Sequence, residues 1–156
     1  MSAKRFNVAV AGATGAVGNQ MITCLEEMNF PVKSLRLLAS SRSVGRQLRF
    51  RGDMVAVEEL TEGSFAGMDI ALFSAGGATS KTFAPAAARS GCVVIDNSSA
   101  WRMEPGIPLV VSQVNPADLE AHEGIIANPN CSTMQLVPPL MALRDAVGLE
   151  RVVVDT

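Results

Sequence analysis

The segment VAVAGATGAVG near the N-terminus constrains the fold most, because an apolar strand pattern runs directly into a glycine-rich turn and then a helical pattern. The strand is predicted over Phe6–Ala11 and the helix over Ala16–Met28, with Gly12, Gly15 and Gly18 at their junction. Glycines allow a tight turn and a close backbone approach, and a helix N-terminus offers unpaired N–H groups to a diphosphate. A dinucleotide site is therefore predicted. The GxxGxxG spacing differs from the common GxGxxG, so a purely structural turn stays open.

Apolar strand patterns alternate with helical patterns along the rest of the chain, which predicts βαβ units. At 156 residues, 48% of them hydrophobic, the chain suits one packed domain. The expected fold is α/β, with a Rossmann-like, doubly wound, mostly parallel sheet. Further strands are predicted at Leu35–Ala39, Ile70–Ala75, Cys92–Asp96, Gly124–Ala127 and Arg151–Asp155, weaker ones at Val55–Val57 and Leu109–Val111, helices at Ser80–Ser90 and Ser132–Ala146, and short turns near Ser64 and Pro116–His122.

Charge and composition exclude several classes of function. The formal net charge is −2 and there is no basic run, so nothing favours binding to nucleic acid or to an anionic membrane. No signal-peptide or membrane-span pattern occurs. The three cysteines lack metal-ligand spacing, and His122 is the only histidine. We expect a reduced, cytoplasmic protein without a metal site, whose partners are small molecules or copies of itself.

The last residues, ERVVVDT, have the pattern of a buried strand with no turn or polar tail after it. Such an ending is expected of a cut chain. It predicts a second domain that these residues do not include.

The end of the second predicted strand carries Ser40, Ser41, Arg42 and Ser43, where NAD enzymes usually have an acidic residue for the ribose 2′-hydroxyl. A guanidinium and hydroxyls suit a 2′-phosphate instead. NADP is therefore favoured over NAD, and the alternative is a solvated polar loop.

The strand DIALFSA is followed by Gly76 and Gly77, at the carboxyl end where open α/β sheets bind ligands. These small residues are candidates to line the cofactor. A plain glycine turn with Thr79 or Ser80 as the helix cap is the alternative.

The strand CVVID leads into a polar segment that contains Trp101 and Arg102. A guanidinium is a rigid fork that fits phosphate or carboxylate, so Arg102 is a candidate anion anchor. An arginine lying over the neighbouring tryptophan is the alternative.

The stretch ANPNCST places Cys131 between a predicted strand and a predicted helix. The helix dipole and free N–H groups there favour the thiolate, which is the reactive form, and Asn130 or those N–H groups can donate to an oxyanion. A thiolate beside a nicotinamide points to attack on an aldehyde, hydride transfer to NADP, and release of the thioester by another nucleophile. Cys24 and Cys92 lie in apolar patterns and are predicted core residues.

Four motifs occur in a fixed order: GATGAVG, SAGG, DNSS with Arg102 following, and NPNCST. Together they resemble bacterial aspartate-β-semialdehyde dehydrogenases, through essentially the whole chain. The family reversibly makes aspartyl 4-phosphate from aspartate 4-semialdehyde, phosphate and NADP, on the route to lysine, threonine, methionine and diaminopimelate. NPNCST after DNSSxxR is the specific part of the resemblance.

The resemblance implies a role for each matching residue. Cys131 would carry the acyl group as a thioester, Arg102 would bind phosphate, and Asn130 would orient the reacting carbonyl. The implied cofactor residues are Gly12, Thr14, Gly15, Ala16 and Val17 at the diphosphate, Ser40, Arg42 and Ser43 at the 2′-phosphate, and Gly76 and Gly77 near the nicotinamide.

This chain differs from the family in its length, because members of the family are about twice as long. Residues 1–130 would form the NADP-binding domain, and residues 131–156 would begin an α+β catalytic and dimerisation domain that holds the catalytic histidine. The full-length form would be a homodimer or a dimer of dimers. This chain alone would bind NADP with negligible turnover.

Two other functions remain open from the sequence. N-acetyl-γ-glutamyl-phosphate reductase has a similar plan and a similar cysteine, although its cysteine region differs from NCST. The second is a nucleotide-binding module without catalytic activity. The polar setting of Cys131 argues against it.

Overall fold

A computed structural model describes residues 4–155, and within that range seven strands form one sheet with three α-helices packed around it. The strands are β1 (Phe6–Ala11), β2 (Val32–Ala39), β3 (Gln47–Phe50), β4 (Asp53–Glu59), β5 (Ile70–Phe73), β6 (Val93–Asp96) and β7 (Ile125–Ala127), and the helices are α1 (Ala16–Glu27), α2 (Gly77–Arg89) and α3 (Cys131–Val147). Short 3-10 helices at Glu62–Phe65 and Pro116–Ala121 lie where turns were predicted. No helix in the described range is long and apolar enough to cross a membrane.

The strand order is β3-β4-β2-β1-β5-β6-β7, and every pair is parallel except β3 with β4. The chain winds outward from β1 in one direction through β2 and β4, and then in the other through β5, β6 and β7. This is the doubly wound arrangement that the sequence predicted, and it puts the switch point beside the carboxyl end of β1.

The core lies on both faces of β1, as the period of two in a strand requires. Val8 and Val10 pack on one face with Ile22 and Leu25 of α1. Ala9 and Ala11 pack on the other face, in one cluster with Ala84 and Ala87 of α2. Helices on opposite faces thus bury residues 8–11 of the central strand completely.

One face of β5 and β6 is less covered. Ala71 and Phe73 are buried, whereas Leu72 and Ile95, which point to the α1 side, are only half-buried. Together with α1 they line an apolar cavity of about 360 Å³. Cys24 lines the same cavity and is half-buried, so the prediction that it is a core residue was wrong, because no described element packs over it.

The predicted strand Arg151–Asp155 does not form in the described residues. The segment is exposed, with Val153 80% accessible. Among the described residues no strand pairs with this segment. On the outer side of β7, Leu109 forms a single parallel bridge with Ala127. A β-branched pattern without a partner strand does not become a strand, because its backbone groups have nothing to pair with.

The strand β3 was not predicted. It pairs with β4 through a tight turn in which both Arg51 and Gly52 have positive φ, 51° and 91°. Positive φ at both central residues is the type I′ geometry that fits a hairpin's twist. An arginine is unusual at the first of these positions, so the local turn signal is weak.

Candidate active site

The six adjacent parallel strands end at the same edge of the sheet, and all the sequence motifs follow ends of these strands. Two cavities open there. The larger, about 380 Å³, lies between the glycine turn, the end of β2 and the end of β5. The smaller, about 240 Å³, lies between Gly76, Arg102 and Cys131. Ser74 lines both, so the two cavities adjoin.

The glycine turn packs backbone against backbone. Gly12 has φ of +86°, and a Cβ there would collide with the carbonyl group of Ser74. A Cβ on Gly18 would collide with the carbonyl group of Gly12. Both glycines are therefore required for α1 and β5 to approach the end of β1, which is the close packing that the sequence predicted.

The N-terminus of α1 is open to a ligand. Gly15 is its N-cap, no side chain of residues 4–155 accepts from the first-turn N–H groups, and the first turn holds no acidic residue. Ala16 and Val17 are exposed. Unpaired N–H groups and the positive end of the helix dipole attract an anion, so this end of the cavity fits a diphosphate.

Arg42 lies in a 3-10 helix, Ser41–Ser43, directly after β2. The Ser43 hydroxyl lies 3.4 Å from the Thr14 hydroxyl, which joins this segment to the glycine turn, and Ser40 lines the larger cavity. Arg42 is exposed, and no partner for its guanidinium occurs among residues 4–155. The segment therefore holds an unpaired cation and hydroxyls beside the cavity.

Gly76 is the N-cap of α2, with φ 85° and ψ 159°, a conformation that only glycine adopts readily. Nothing lies within 4 Å of the position of a Cβ there, and Gly76 lines the smaller cavity. Gly77 is half-buried beside Ala100. The helix begins three residues before the predicted Ser80. Neither Thr79 nor Ser80 caps it, so the predicted cap was wrong, whereas a plain glycine turn stays the alternative to a cofactor contact.

Cys131 is the first residue of α3 and is exposed. Asn130 is the N-cap, and its Oδ1 accepts from the Ser132 N–H at 2.9 Å and from the Ser132 hydroxyl at 2.7 Å. The Cys131 Sγ lies 3.8 Å from the same oxygen. Because a backbone N–H can only donate, the amide must present its oxygen there. The Nδ2 group finds no acceptor among the described residues and is free to donate to a ligand.

Arg102 does not lie over Trp101, because its guanidinium is held by carbonyl groups. Nε donates to the Asn128 carbonyl at 2.8 Å and Nη2 to the Asn97 carbonyl at 3.0 Å. The rest of the fork has no partner in the described chain. Arg102 thus brings a cation to the cavity that Asn130 and Cys131 also line.

Cys92 is a different kind of thiol, buried in the core as predicted. Burial, and secondarily the negative charge of Asp69, raises the pKa of Cys92 to about 12. It stays protonated at neutral pH and cannot act as a nucleophile.

Sequence reasoning missed the side chains that support this site. Asp96 is fully buried and bonds to Ser80 and Ser98, and Trp101 donates to Ser80. Asn128 donates to the side chain of Asn97 at 2.9 Å. In the sequence, Ser80 was considered only as a helix cap and Trp101 only as a surface for Arg102, and the others appeared only as letters of the DNSS and NPNCST motifs.

A doubly wound sheet with a glycine turn, an uncapped helix N-terminus and a cavity at the switch point defines a Rossmann-type dinucleotide-binding domain. Residues 7–122 match the family model described as semialdehyde dehydrogenase, NAD binding domain, and the chain belongs to that family.

Named relatives are similar over nearly all of this chain. Aspartate-semialdehyde dehydrogenase from Aquifex aeolicus is 56% identical over 97% of the chain, which spans 45% of that protein. The crystal structure of aspartate semialdehyde dehydrogenase II from Vibrio cholerae complexed with ASA is 52% identical with a TM-score of 0.88, covering 95% of this chain and 49% of that one. The Candida albicans enzyme with NADP is 28% identical with a TM-score of 0.79, covering 92% and 48%. The chain thus spans less than half the length of these relatives.

Proposed function

We propose that this chain is the nucleotide-binding and nucleophile-bearing part of an aspartate-semialdehyde dehydrogenase. The enzyme would interconvert L-aspartate 4-semialdehyde and L-aspartyl 4-phosphate with NADP and phosphate, in the biosynthesis of lysine, threonine, methionine and diaminopimelate. The observation that carries the proposal is the smaller cavity, where a thiol, an amide donor and a guanidinium meet. The names of the relatives support the choice of substrate.

Each of the three groups has one task in this reaction. The Cys131 sulfur adds to the aldehyde carbon, and the Asn130 Nδ2 group donates to the oxygen that becomes negative. When bound at the adjoining larger cavity, oxidised NADP would supply the two-electron acceptor that oxidation of the adduct to a thioester requires. Arg102 holds phosphate, one oxygen of which attacks the thioester carbon and expels the Cys131 thiolate. The product is the acyl phosphate.

A base is still needed to take the Cys131 proton. The residues that line the smaller cavity include no histidine and no carboxylate within the described range. We therefore place the base in the rest of a longer protein, whose relatives are about twice the length of this chain. The isolated 156 residues would bind NADP without measurable turnover.

The proposed domain boundary follows residue 130. The match to the nucleotide-binding family ends at residue 122, and α3, which begins at Cys131, has no buried residue. Residues 1–130 would then be the NADP-binding domain and residues 131–156 the start of the catalytic and dimerisation domain of a cytoplasmic homodimer. All three cysteines are free thiols, which fits a reducing compartment.

The choice of NADP over NAD is supported by Ser40, Arg42 and Ser43 and by the NADP in the related Candida albicans structure. We expect Arg42→Ala to weaken NADPH binding about 10- to 100-fold, the equivalent of one charged hydrogen bond, and NADH binding less than about threefold. Arg89→Ala is the control, since it removes an equal charge from the far end of α2. Fluorescence titration of both nucleotides measures this, and equal losses for NADPH and NADH would refute the role of Arg42.

The reaction itself is tested in the longer protein. Phosphate-dependent reduction of NADP with L-aspartate 4-semialdehyde is expected, and Cys131→Ser should lower kcat by about 10³-fold or more. Cys24→Ser is the matched control, because that thiol lies outside the cavity. Faster turnover of N-acetyl-glutamate 5-semialdehyde would instead identify the reductase. Nucleotide binding with no turnover of either semialdehyde would identify a non-catalytic module.

A further inference from the structure

The buried carboxyl group of Asp96 lies at the end of β6, next to the candidate active site but outside its cavities. Its side chain has no solvent exposure, and it does not line either cavity. Burial of a carboxyl group is costly unless its oxygens are hydrogen-bonded. Three groups donate to it: the Ser98 N–H at 2.9 Å, the Ser98 hydroxyl at 2.6 Å and the Ser80 hydroxyl at 2.9 Å.

The indole of Trp101 and the hydroxyl of Ser80 form a chain of hydrogen bonds that ends at Asp96. The indole Nε1–H of Trp101 can only donate, so the Ser80 oxygen accepts from it at 2.8 Å. The Ser80 hydroxyl in turn donates to Asp96 at 2.9 Å. The chain of donation runs from Trp101 through Ser80 to Asp96, and Ser98 donates from the other side. Hydrogen bonds connected in series strengthen one another in a buried setting.

These bonds fix both ends of the short segment between β6 and Arg102. Ser98 is tied at its start, and Trp101, the residue before Arg102, is tied at its end through Ser80 of α2. The acceptors of the Arg102 guanidinium are also neighbours of Asp96. One is the carbonyl group of Asn97, the next residue, and the other is that of Asn128, whose N–H donates to the Asp96 carbonyl at 2.8 Å.

We propose that Asp96, acting through Ser80 and Trp101, is a positioning residue that holds the Arg102 guanidinium at the cavity lined by Cys131. The groups that Asp96 orders, Asn97, Ser98 and Arg102, line this cavity, whereas Asp96 and Ser80 do not. The inference rests on the proposed function, because its kinetic readout is phosphate use by the longer protein. It adds a second layer of residues to the proposed phosphate site.

Two variants interrupt the network in different ways. In Asp96→Asn the amide oxygen must face the Ser98 N–H, which turns the NH₂ group toward the two hydroxyls that donate to Asp96. In Ser80→Ala only a hydroxyl is lost, at a helical position beside several alanines, so folding is expected to survive. Thr82→Ala is the matched control, since it removes a hydroxyl from the exposed face of α2, and within the described part of the chain this hydroxyl bonds only to the Ala78 carbonyl.

The experiment measures the KM for inorganic phosphate, kcat, and the NADPH affinity in the longer protein. We expect Asp96→Asn and Ser80→Ala to raise the KM for phosphate about 10-fold or more while the NADPH affinity stays within about twofold, since the larger cavity has its own lining. Thr82→Ala should match the wild type. A lower melting temperature with an unchanged KM for phosphate in both variants would overturn the proposal and leave a purely structural role.

A second readout does not depend on turnover. Inorganic phosphate bound at Arg102 should slow the alkylation of Cys131 by iodoacetamide, because both side chains line one cavity. Half-protection should need about 10-fold more phosphate in the two variants than in the wild type. If phosphate protects Cys131 in the wild type, both variants need about 10-fold more of it, and no turnover is seen, the proposed reaction fails and the role of Asp96 stands. If turnover is present and neither variant shifts the protection or the KM, the role of Asp96 fails and the reaction stands.

Discussion

Replacement of Gly12 by alanine tests whether backbone packing between β1 and β5 builds the nucleotide site. Gly12 has φ of +86°, and a Cβ there would collide with the Ser74 carbonyl group. Gly91→Ala is the matched control, because Gly91 has φ of +85° and nothing within 4 Å of a Cβ. The two variants share the same conformational strain and the same loss of unfolded-state entropy. Only the contact with Ser74 differs between them.

The expected magnitude follows from this difference. Positive φ costs an L-residue about 1–2 kcal/mol, which applies to both variants. Forcing a methyl group into packed backbone costs about 1–3 kcal/mol more, which applies to Gly12→Ala alone. The free energy of unfolding should therefore fall by about 2–5 kcal/mol at Gly12 and by about 1–2 kcal/mol at Gly91.

Equilibrium unfolding in urea, followed by far-UV circular dichroism, measures both values, and an unchanged slope shows that the comparison concerns stability. Nucleotide titration is the second assay. Gly12→Ala should also weaken NADPH binding. Gly91→Ala should leave NADPH binding unchanged, because Gly91 lies between α2 and the start of β6, at the amino ends of the strands. If both variants lose the same stability, the contact between Gly12 and Ser74 contributes nothing and the reasoning is refuted.

Two further predictions concern the thiols and the cap of α3. At pH 8, iodoacetamide should label Cys131 first and spare Cys92 in the folded protein. The reason is that a pKa of about 12 leaves only about 10⁻⁴ of Cys92 as thiolate. Peptide mass spectrometry shows the order of labelling, and equal labelling of the two thiols would contradict the prediction. Asn130→Ala should cost about 1 kcal/mol by removing the acceptor of the Ser132 N–H. Asn130→Asp should keep that stability but lower kcat of the longer protein about 10²- to 10³-fold, because it loses the Nδ2 donor. Unchanged kcat in Asn130→Asp would exclude Asn130 as an oxyanion donor.

The site motifs were predictable because geometry gathers them. Gly12, Ser40, Gly76 and Arg102 are far apart in the sequence, but each follows a strand of the parallel sheet, and the carboxyl ends of parallel strands meet at one edge. Identifying the strands is then enough to bring the motifs together. The period of two on β1 and the helical period of α1 are strong signals, so these elements were predicted within one or two residues of their observed ends.

The remaining features depend on contacts that no local pattern encodes. Ser80 and Asp96 are 16 residues apart on different elements, so neither residue predicts the other. The strand pattern of Arg151–Asp155 requires a partner strand, and the described chain offers none. Within α2, the sequence favoured a start at Ser80, whereas the unusual backbone of Gly76 lets the helix begin at Gly77. In each case a tertiary contact or a special backbone angle overrides the local propensity.

Ser74 is the one described residue that the linings of the two cavities share, and its backbone packs against Gly12. Ser74 lines both cavities, and its carbonyl group is the one that leaves no room for a Cβ on Gly12. The distance between the glycine turn and the cavity of Cys131 is therefore set by the contact of β1 with β5. Side-chain substitutions around either cavity should change affinity or rate separately. A substitution at Gly12 should change both together, because it moves the nucleotide relative to the thiol, and a displacement of about 1 Å at a reacting centre lowers the rate about 10²-fold.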